Sequence, residues 1–124
     1  MIVGVGIDMI EVDRVLEKVD RNEGFRKRIF SEKEIAFCDL KPNRGQHYAA
    51  RFAAKEAFLK ATGFGLALGL ELAEIEVVHD EKGRPLLSLS GKSGEIATQS
   101  QWNKIHLSIS HLKEVACAVV IIEQ

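Results

Sequence analysis

Asp8 and Glu56 both sit where an apolar residue would be expected. Asp8 ends the run Ile2-Val3-Gly4-Val5-Gly6-Ile7, and Glu56 lies inside Arg51-Phe52-Ala53-Ala54-Lys55-Glu56-Ala57-Phe58-Leu59-Lys60-Ala61. A carboxylate beside a core strand is costly unless something neutralises it. Two such carboxylates offer hard oxygen ligands to a shared divalent cation. Lys60 lies four residues beyond Glu56. An ammonium beside metal-bound carboxylates makes sense if all of them serve a phosphate.

Both acids also have plainer readings. Asp8 could be the N-cap of a following helix, a position aspartate favours. Glu56 and Lys60 could be a surface pair at i,i+4, worth about 0.2–0.5 kcal/mol. Against the second reading, a helix turning about 100° per residue puts Glu56 between Phe52, Leu59 and Ala53, away from the flank of Arg51 and Lys55. Ser110 and His111 stand at a strand end, where a histidine is either a solvated turn residue or part of a site. His47, His79 and His106 have no partner visible in the sequence. A Ser-His-Asp signature, a phosphate-binding P-loop, a dinucleotide fingerprint and a zinc motif are all missing.

The elements that must position these groups follow from the hydrophobic pattern. Ile2 to Ile7 reads as a buried strand whose glycines let another backbone or a ligand approach closely. Ile10 to Val19 reads as an amphipathic helix ending near Asn22 to Gly24. Ser31-Glu32-Lys33-Glu34 is a capping box opening a short helix to about Leu40. Gln46 to Ala61 should be the longest helix. Ala49, Ala53, Ala57 and Ala61 form a small-residue ridge along it, and Gly63 ends it. The segment Leu66 to Ala73 carries no clear pattern. Ile75 to His79 and Leu86 to Leu89 read as a hairpin, Gly91 to Gln101 as a short helix, and Ile105–Ser110 and Val115–Ile122 as two closing strands. The order is strand, helices, two strands, helix, two strands around one core. That is an α+β fold, expected as a single domain over residues 1–124.

The bulk composition excludes several classes. The 124 residues are 46% hydrophobic and 28% charged, as in ordinary globular proteins. A net charge of −1 lacks the basic excess of a nucleic-acid binder, although Arg14 to Arg28 is locally basic. Cys38 and Cys117 are too few for a disulfide framework. The apolar start lacks the charged region of a signal peptide, and no run is long enough for a membrane span, so the cytoplasm is the expected setting.

Taken together, the motifs resemble one family, the holo-[acyl-carrier-protein] synthases, which are small bacterial 4′-phosphopantetheinyl transferases. Gly6-Ile7-Asp8-Met9-Ile10-Glu11-Val12-Asp13-Arg14 is similar to the family's first block. Arg51 to Ala61 is similar to its R-F-A-x-K-E-A-x-x-K-A block, and Leu107-Ser108-Ile109-Ser110-His111 with Ala116-Cys117-Ala118 to its third. The resemblance implies the 4′-phosphopantetheinyl transferase fold, and transfer of 4′-phosphopantetheine from coenzyme A to a serine of apo-acyl carrier protein in fatty acid biosynthesis. It implies Mg²⁺ held by Asp8 and Glu56, with Lys60 on the phosphates and either Glu56 or a metal-bound water as the base. It further implies that Arg44, Arg51, Gly63, Ser110 and His111 bind coenzyme A, and that the chain is a homotrimer with sites at subunit interfaces. Acyl carrier proteins are small and acidic, so Arg14, Arg21 and Phe25 are the expected docking residues. Two rivals remain at this point: a non-catalytic coenzyme A-binding module, and a metal-dependent phosphohydrolase.

Overall fold

The computed structural model describes residues 1–124. Strand β1 (Ile2–Glu11) outruns its apolar segment. It pairs antiparallel with β5 (Val115–Glu123), with Asp8 opposite Ala118 and Glu11 opposite Val115. The ladder keeps supplying hydrogen bonds beyond Ile7, so Asp8 lies inside the strand and not at its end. Helix α1 (Val12–Arg21) starts from Glu11, which excludes Asp8 as its N-cap.

Asn22 closes α1, and its side chain also accepts the Phe25 N–H (3.0 Å) to open α2 (Glu23–Ile29). Sequence reading took Asn22 only as a stop and so missed α2. The capping box forms as expected at α3 (Glu32–Asp39). Ser31 Oγ accepts the Glu34 N–H (3.2 Å), and the Ser31 N–H donates to Glu34 Oε1 (3.0 Å). Helix α4 (Arg44–Thr62) begins two residues earlier than its alanine-rich pattern and ends on Gly63, whose φ of 81° is the left-handed cap expected there. The unpatterned segment becomes two 3₁₀ turns, Gly65–Leu68 and Leu72–Glu74. Then come β2 (Ile75–His79), β3 (Pro85–Leu89), α5 (Gly91–Gln99) and β4 (Lys104–His111).

The main sheet has the order β1-β5-β4 and is antiparallel throughout; β2 and β3 form a separate ribbon. Helix α4 lies across the inner face of β1 and β5 at unusually short range. A Cβ built on Gly6 would overlap the carbonyl oxygen of Ala57, and one on Gly4 that of Ala61. The ridge Ala49, Ala53, Ala57 and Ala61 is fully buried, so it is consumed within the chain. Two apolar clusters flank α4: Phe58, Ile75, Val77, Val120 and Ile122 on one side, and Val12, Val15, Val19, Phe30 and Tyr48 on the other.

A buried ion pair sets the rotation of α4. Lys55 Nζ donates to Glu34 Oε1 (2.7 Å) and to the carbonyls of Leu72 (2.9 Å) and Ile75 (2.6 Å), while Glu34 Oε2 accepts the Val77 N–H (3.0 Å). Neither side chain is exposed. Removing one partner of such a pair costs about 3–5 kcal/mol, because a buried charge is left unmatched. On the outer face of the sheet, Val5, Ile7 and Met9 are 60, 62 and 68% exposed. No helix is long and apolar enough to cross a membrane.

Gly6→Ala drives a methyl group into helix backbone, which cannot yield as a flexible side chain could. It should destabilise the fold by more than about 2 kcal/mol. Urea denaturation checks this, and an unchanged midpoint would mean that α4 does not rest on β1 as described.

Candidate active site

Asp8 projects from the inner face of β1 towards α4, where Glu56 meets it. Both line a cleft of about 280 Å³, together with Arg14, Lys18, Phe25 and Phe52. Lys60 follows one turn after Glu56, but its Nζ donates to Asp8 Oδ1 (3.1 Å) and to the Ile7 carbonyl (3.0 Å). It therefore bridges helix and strand instead of forming an i,i+4 surface pair. Burial pushes the Glu56 carboxyl above its ordinary range, and the charge of Asp8 pushes it further; Lys60 pulls the other way. The two acids thus feel each other, and one ammonium serves both.

This donor set suits a hard divalent cation. No group of three or more His, Cys, Asp or Glu comes together that could hold a metal by itself. Two carboxylates facing an open cleft are nevertheless the usual protein share for Mg²⁺, whose remaining positions go to water and substrate phosphates.

The other sequence-derived residues divide into groups. Arg14 and Phe25 line the cleft itself, with Lys18 between them in sequence. Arg21 lies beside it in a groove shared with Arg14 and Lys18, and pairs with Glu17 (2.8 Å). Arg44 stands apart. It is ion-paired to Asp20 (2.8 Å) and Asp39 (3.2 Å), and the Tyr48 hydroxyl donates to the same Asp39 carboxylate (2.8 Å). Gly63 is exposed at the end of α4. Ser110 is exposed opposite Cys117.

Arg51 and His111 belong to a second cluster. Arg51 is 3% exposed and lies 4.3 Å from the Phe37 ring centre. Phe37 also stacks on His79 (5.2 Å) and meets His47 edge-on (5.6 Å), and His47 meets His111 (5.9 Å). On the wheel of α4, His47 lies about 180° and Arg51 about 140° from Glu56. One flank of the helix therefore carries the carboxylates, and the other the arginine and the histidines. Sequence reading did not group His47, His79 and Phe37. The only local signal was the four-residue spacing of His47 and Arg51; the rest of the cluster comes from distant segments.

The chain belongs to the 4′-phosphopantetheinyl transferase superfamily, whose family model matches residues 4–120. Within that class its relatives are holo-[acyl-carrier-protein] synthases. The one from Syntrophus aciditrophicus (strain SB) is 46% identical over 99% of this chain and 97% of its own length. The crystal structure of a holo-(acyl-carrier-protein) synthase from Bacillus anthracis in complex with CoA (3′,5′-ADP) is similar at a TM-score of 0.80 and 40% identity, covering 98% of this chain and 96% of that one. That from Neisseria meningitidis reaches a TM-score of 0.90 at 27% identity, over 100% of both chains.

The raised pKa of Glu56 has a consequence for stability. A carboxyl whose folded pKa exceeds its unfolded value stabilises below that unfolded value, near 4.5, and the contribution is lost as pH rises through the folded pKa. Ionised Glu56 therefore weakens the metal-free fold at neutral pH. In chelator at pH 7.5, Glu56→Gln should melt a few degrees above the wild type, and the gap should close towards pH 4. A Glu56→Gln protein that melts lower at pH 7.5 would contradict the carboxylate repulsion.

Proposed function

We infer that this chain transfers the 4′-phosphopantetheine group from coenzyme A to a serine hydroxyl of apo-acyl carrier protein, releasing adenosine 3′,5′-bisphosphate. The observation that carries the reading is the meeting of Asp8, Glu56 and Lys60 at one end of a cleft whose mouth is basic. In the reaction the serine oxygen bonds to the phosphorus bearing the pantetheine, and the bond from that phosphorus to the bridging oxygen breaks. That oxygen leaves with the bisphosphate.

Asp8 and Glu56 are the residues that would hold Mg²⁺. Bound there, the ion neutralises pyrophosphate charge and stabilises the leaving group. Glu56, directly or through a water that it orients, would take the serine proton. Lys60 is half-exposed, so it can turn from Asp8 to an incoming phosphate oxygen. Arg51 and His111 are assigned to the nucleotide, and Gly63 and Ser110 to the rest of coenzyme A. Arg44, held by Asp20 and Asp39, would have to leave those partners to join them.

Arg14, Arg21 and Phe25 form the proposed docking surface for the carrier protein, with Lys18 on the same helix as the two arginines. Arg14, Lys18 and Phe25 line the cleft that holds Asp8 and Glu56, so an acidic partner drawn to α1 would deliver its serine there. Such a transfer onto an acyl carrier protein would serve fatty acid biosynthesis, and its proposed setting is the cytoplasm.

The direct test is mass spectrometry of apo-acyl carrier protein incubated with the chain, coenzyme A and Mg²⁺. The carrier should gain the phosphopantetheine mass, chelator should stop the gain, and Asp8→Ala should remove it. Glu56→Gln should slow it about 10²–10⁴-fold. Arg14→Glu should raise KM for the carrier protein at low salt and leave KM for coenzyme A unchanged. Coenzyme A cleavage without acceptor would indicate a hydrolase, and binding without cleavage a binding module.

The proposed assembly is a homotrimer with shared sites. Two observations support it. Val5, Ile7 and Met9 form an uncovered apolar stripe beside Val119 and Ile121. The two halves of the site also lie on opposite flanks of α4, and a nucleotide phosphate cannot reach round a helix about 10 Å across. His111 of one copy would then complete the Glu56 cleft of the next. Ile7→Glu should give an inactive monomer in sedimentation. Glu56→Ala and His111→Ala subunits, inactive alone, should recover about one quarter of the sites when refolded together in equal amounts. An active monomer, or trimers without recovery, would defeat this assembly.

A further inference from the structure

Asp39, the last residue of α3, gathers side chains from two other helices and is linked to a third. Its Oδ1 accepts from Arg44 Nη2 (3.2 Å) and from the Tyr48 hydroxyl (2.8 Å), both near the start of α4. Its Oδ2 faces Arg26 Nη1 of α2 (3.8 Å). Arg44 carries the network on to Asp20 at the end of α1 (2.8 Å). Of the helices tied in this way, α2 has the weakest apolar hold. Helix α1 is seated by Val12, Val15 and Val19, all buried, whereas α2 buries only Ile29 of its seven residues. Glu23, Gly24, Lys27 and Arg28 are exposed, and Phe25 and Arg26 are half-buried. A helix this short is not stable by itself and takes its place from tertiary contacts. Its other ion pairs, from Arg26 and Lys27 to Glu23, lie within the helix and anchor it to nothing else. The pair from Arg26 to Asp39 is its only ion pair with another element. The neighbouring residue, Phe25, turns into the cleft. There its ring meets Phe52 of α4 (6.4 Å), and Lys18 Nζ of α1 lies 5.8 Å from its centre.

We propose that Asp39 is a positioning residue for the carrier protein: by holding Arg26 it keeps α2 seated, with Phe25 turned into the cleft that contains Asp8 and Glu56. This inference rests on the reading of α1 and α2 as the docking face for an acidic carrier and deepens it. An apolar anchor that is already in place when the partner arrives lowers the ordering cost of binding. Without the tether α2 samples other positions, and the apparent affinity falls by the fraction of molecules in which Phe25 is seated. Asp39 does this against its own charge. A carboxylate next to a basic docking face repels an acidic partner. Charge alone therefore predicts tighter carrier binding when Asp39 is neutralised, and positioning predicts weaker binding. The two effects have opposite signs, so one substitution separates them.

The test is steady-state transfer by the whole protein, with each substrate varied in turn. Asp39→Asn keeps the side-chain shape and an acceptor for Tyr48. It should raise KM for apo-acyl carrier protein about three- to tenfold. Its kcat and its KM for coenzyme A should stay within about twofold of wild type. Arg26→Met should raise the carrier KM as well, and adding Asp39→Asn to it should raise that KM little further, because both remove the same tether. Hydrogen exchange of the ligand-free protein should quicken over Glu23–Ile29 in Asp39→Asn and stay slow over α4. If Asp39→Asn fails to fold, Arg26→Met carries the test: a raised carrier KM must come with faster exchange over Glu23–Ile29. A carrier KM that falls or does not change in Asp39→Asn overturns the inference. So do fully additive effects of the two substitutions, or a raised KM with unaltered exchange in α2. A wild type that transfers nothing to the carrier would instead refute the functional reading beneath it, and exchange would still decide whether Asp39 seats α2.

Discussion

The backbone of α4 rests directly on the backbone of β1, and the rest of the site depends on that contact. Only glycine at positions 4 and 6 leaves room for the carbonyls of Ala57 and Ala61. At ordinary helix-on-sheet spacing, a layer of side chains would stand between Asp8 and Glu56. Here the two carboxylates share one cleft, burial and then the charge of Asp8 hold the Glu56 carboxyl above its ordinary range, and Lys60 reaches both the carboxylate of Asp8 and the neighbouring main-chain carbonyl. The geometry of this candidate site is thus made by leaving out side chains as much as by adding them.

Close approach sets distance but not rotation, and rotation comes from the neighbouring residue. Lys55, next to Glu56, points about 100° away round α4 and is held by Glu34 and by the carbonyls of Leu72 and Ile75. Turning the helix enough to move Glu56 would strand a buried ammonium. The Lys-Glu dipeptide therefore combines a structural charge facing inwards with a chemical charge facing the cleft. The first fixes the second, because a buried charge tolerates so little displacement.

The charge pattern around α4 is divided. Acidic groups gather on the flank towards β1, and cationic and titratable groups on the flank towards β2 and β4. A single chain holds both groups on opposite flanks of the helix. It also leaves an apolar sheet face open to water. Both features make physical sense in an assembly where one copy's cationic flank faces another's carboxylates, since the same apolar stripe that closes the interface would bring the halves together.

Much of this chain was legible residue by residue. The capping box at Ser31, the left-handed Gly63, the hairpin and the alternating strands depend on local rules, and they formed where those rules placed them. Asp8 and Glu56 stood out because charge in an apolar run needs a reason wherever it lies in space. What sequence did not decide was partnership. Asn22 looked like a helix end and is also a helix start, because one side chain can serve both termini. The strand outran its apolar residues because β5 lay alongside to pair with it. Lys60 looked like Glu56's partner and chose Asp8, which lies 52 positions away in the chain but within hydrogen-bond reach. Arg44 was expected on coenzyme A and is held by Asp20 and Asp39, while the three histidines around Phe37 come from three separate segments. By itself the sequence determined which backbone conformations were favoured and which side chains were anomalous, since those depend on neighbours in the chain. Only the tertiary structure decided which charges face one another, since electrostatic partnership depends on distance through space and on what burial removes from water.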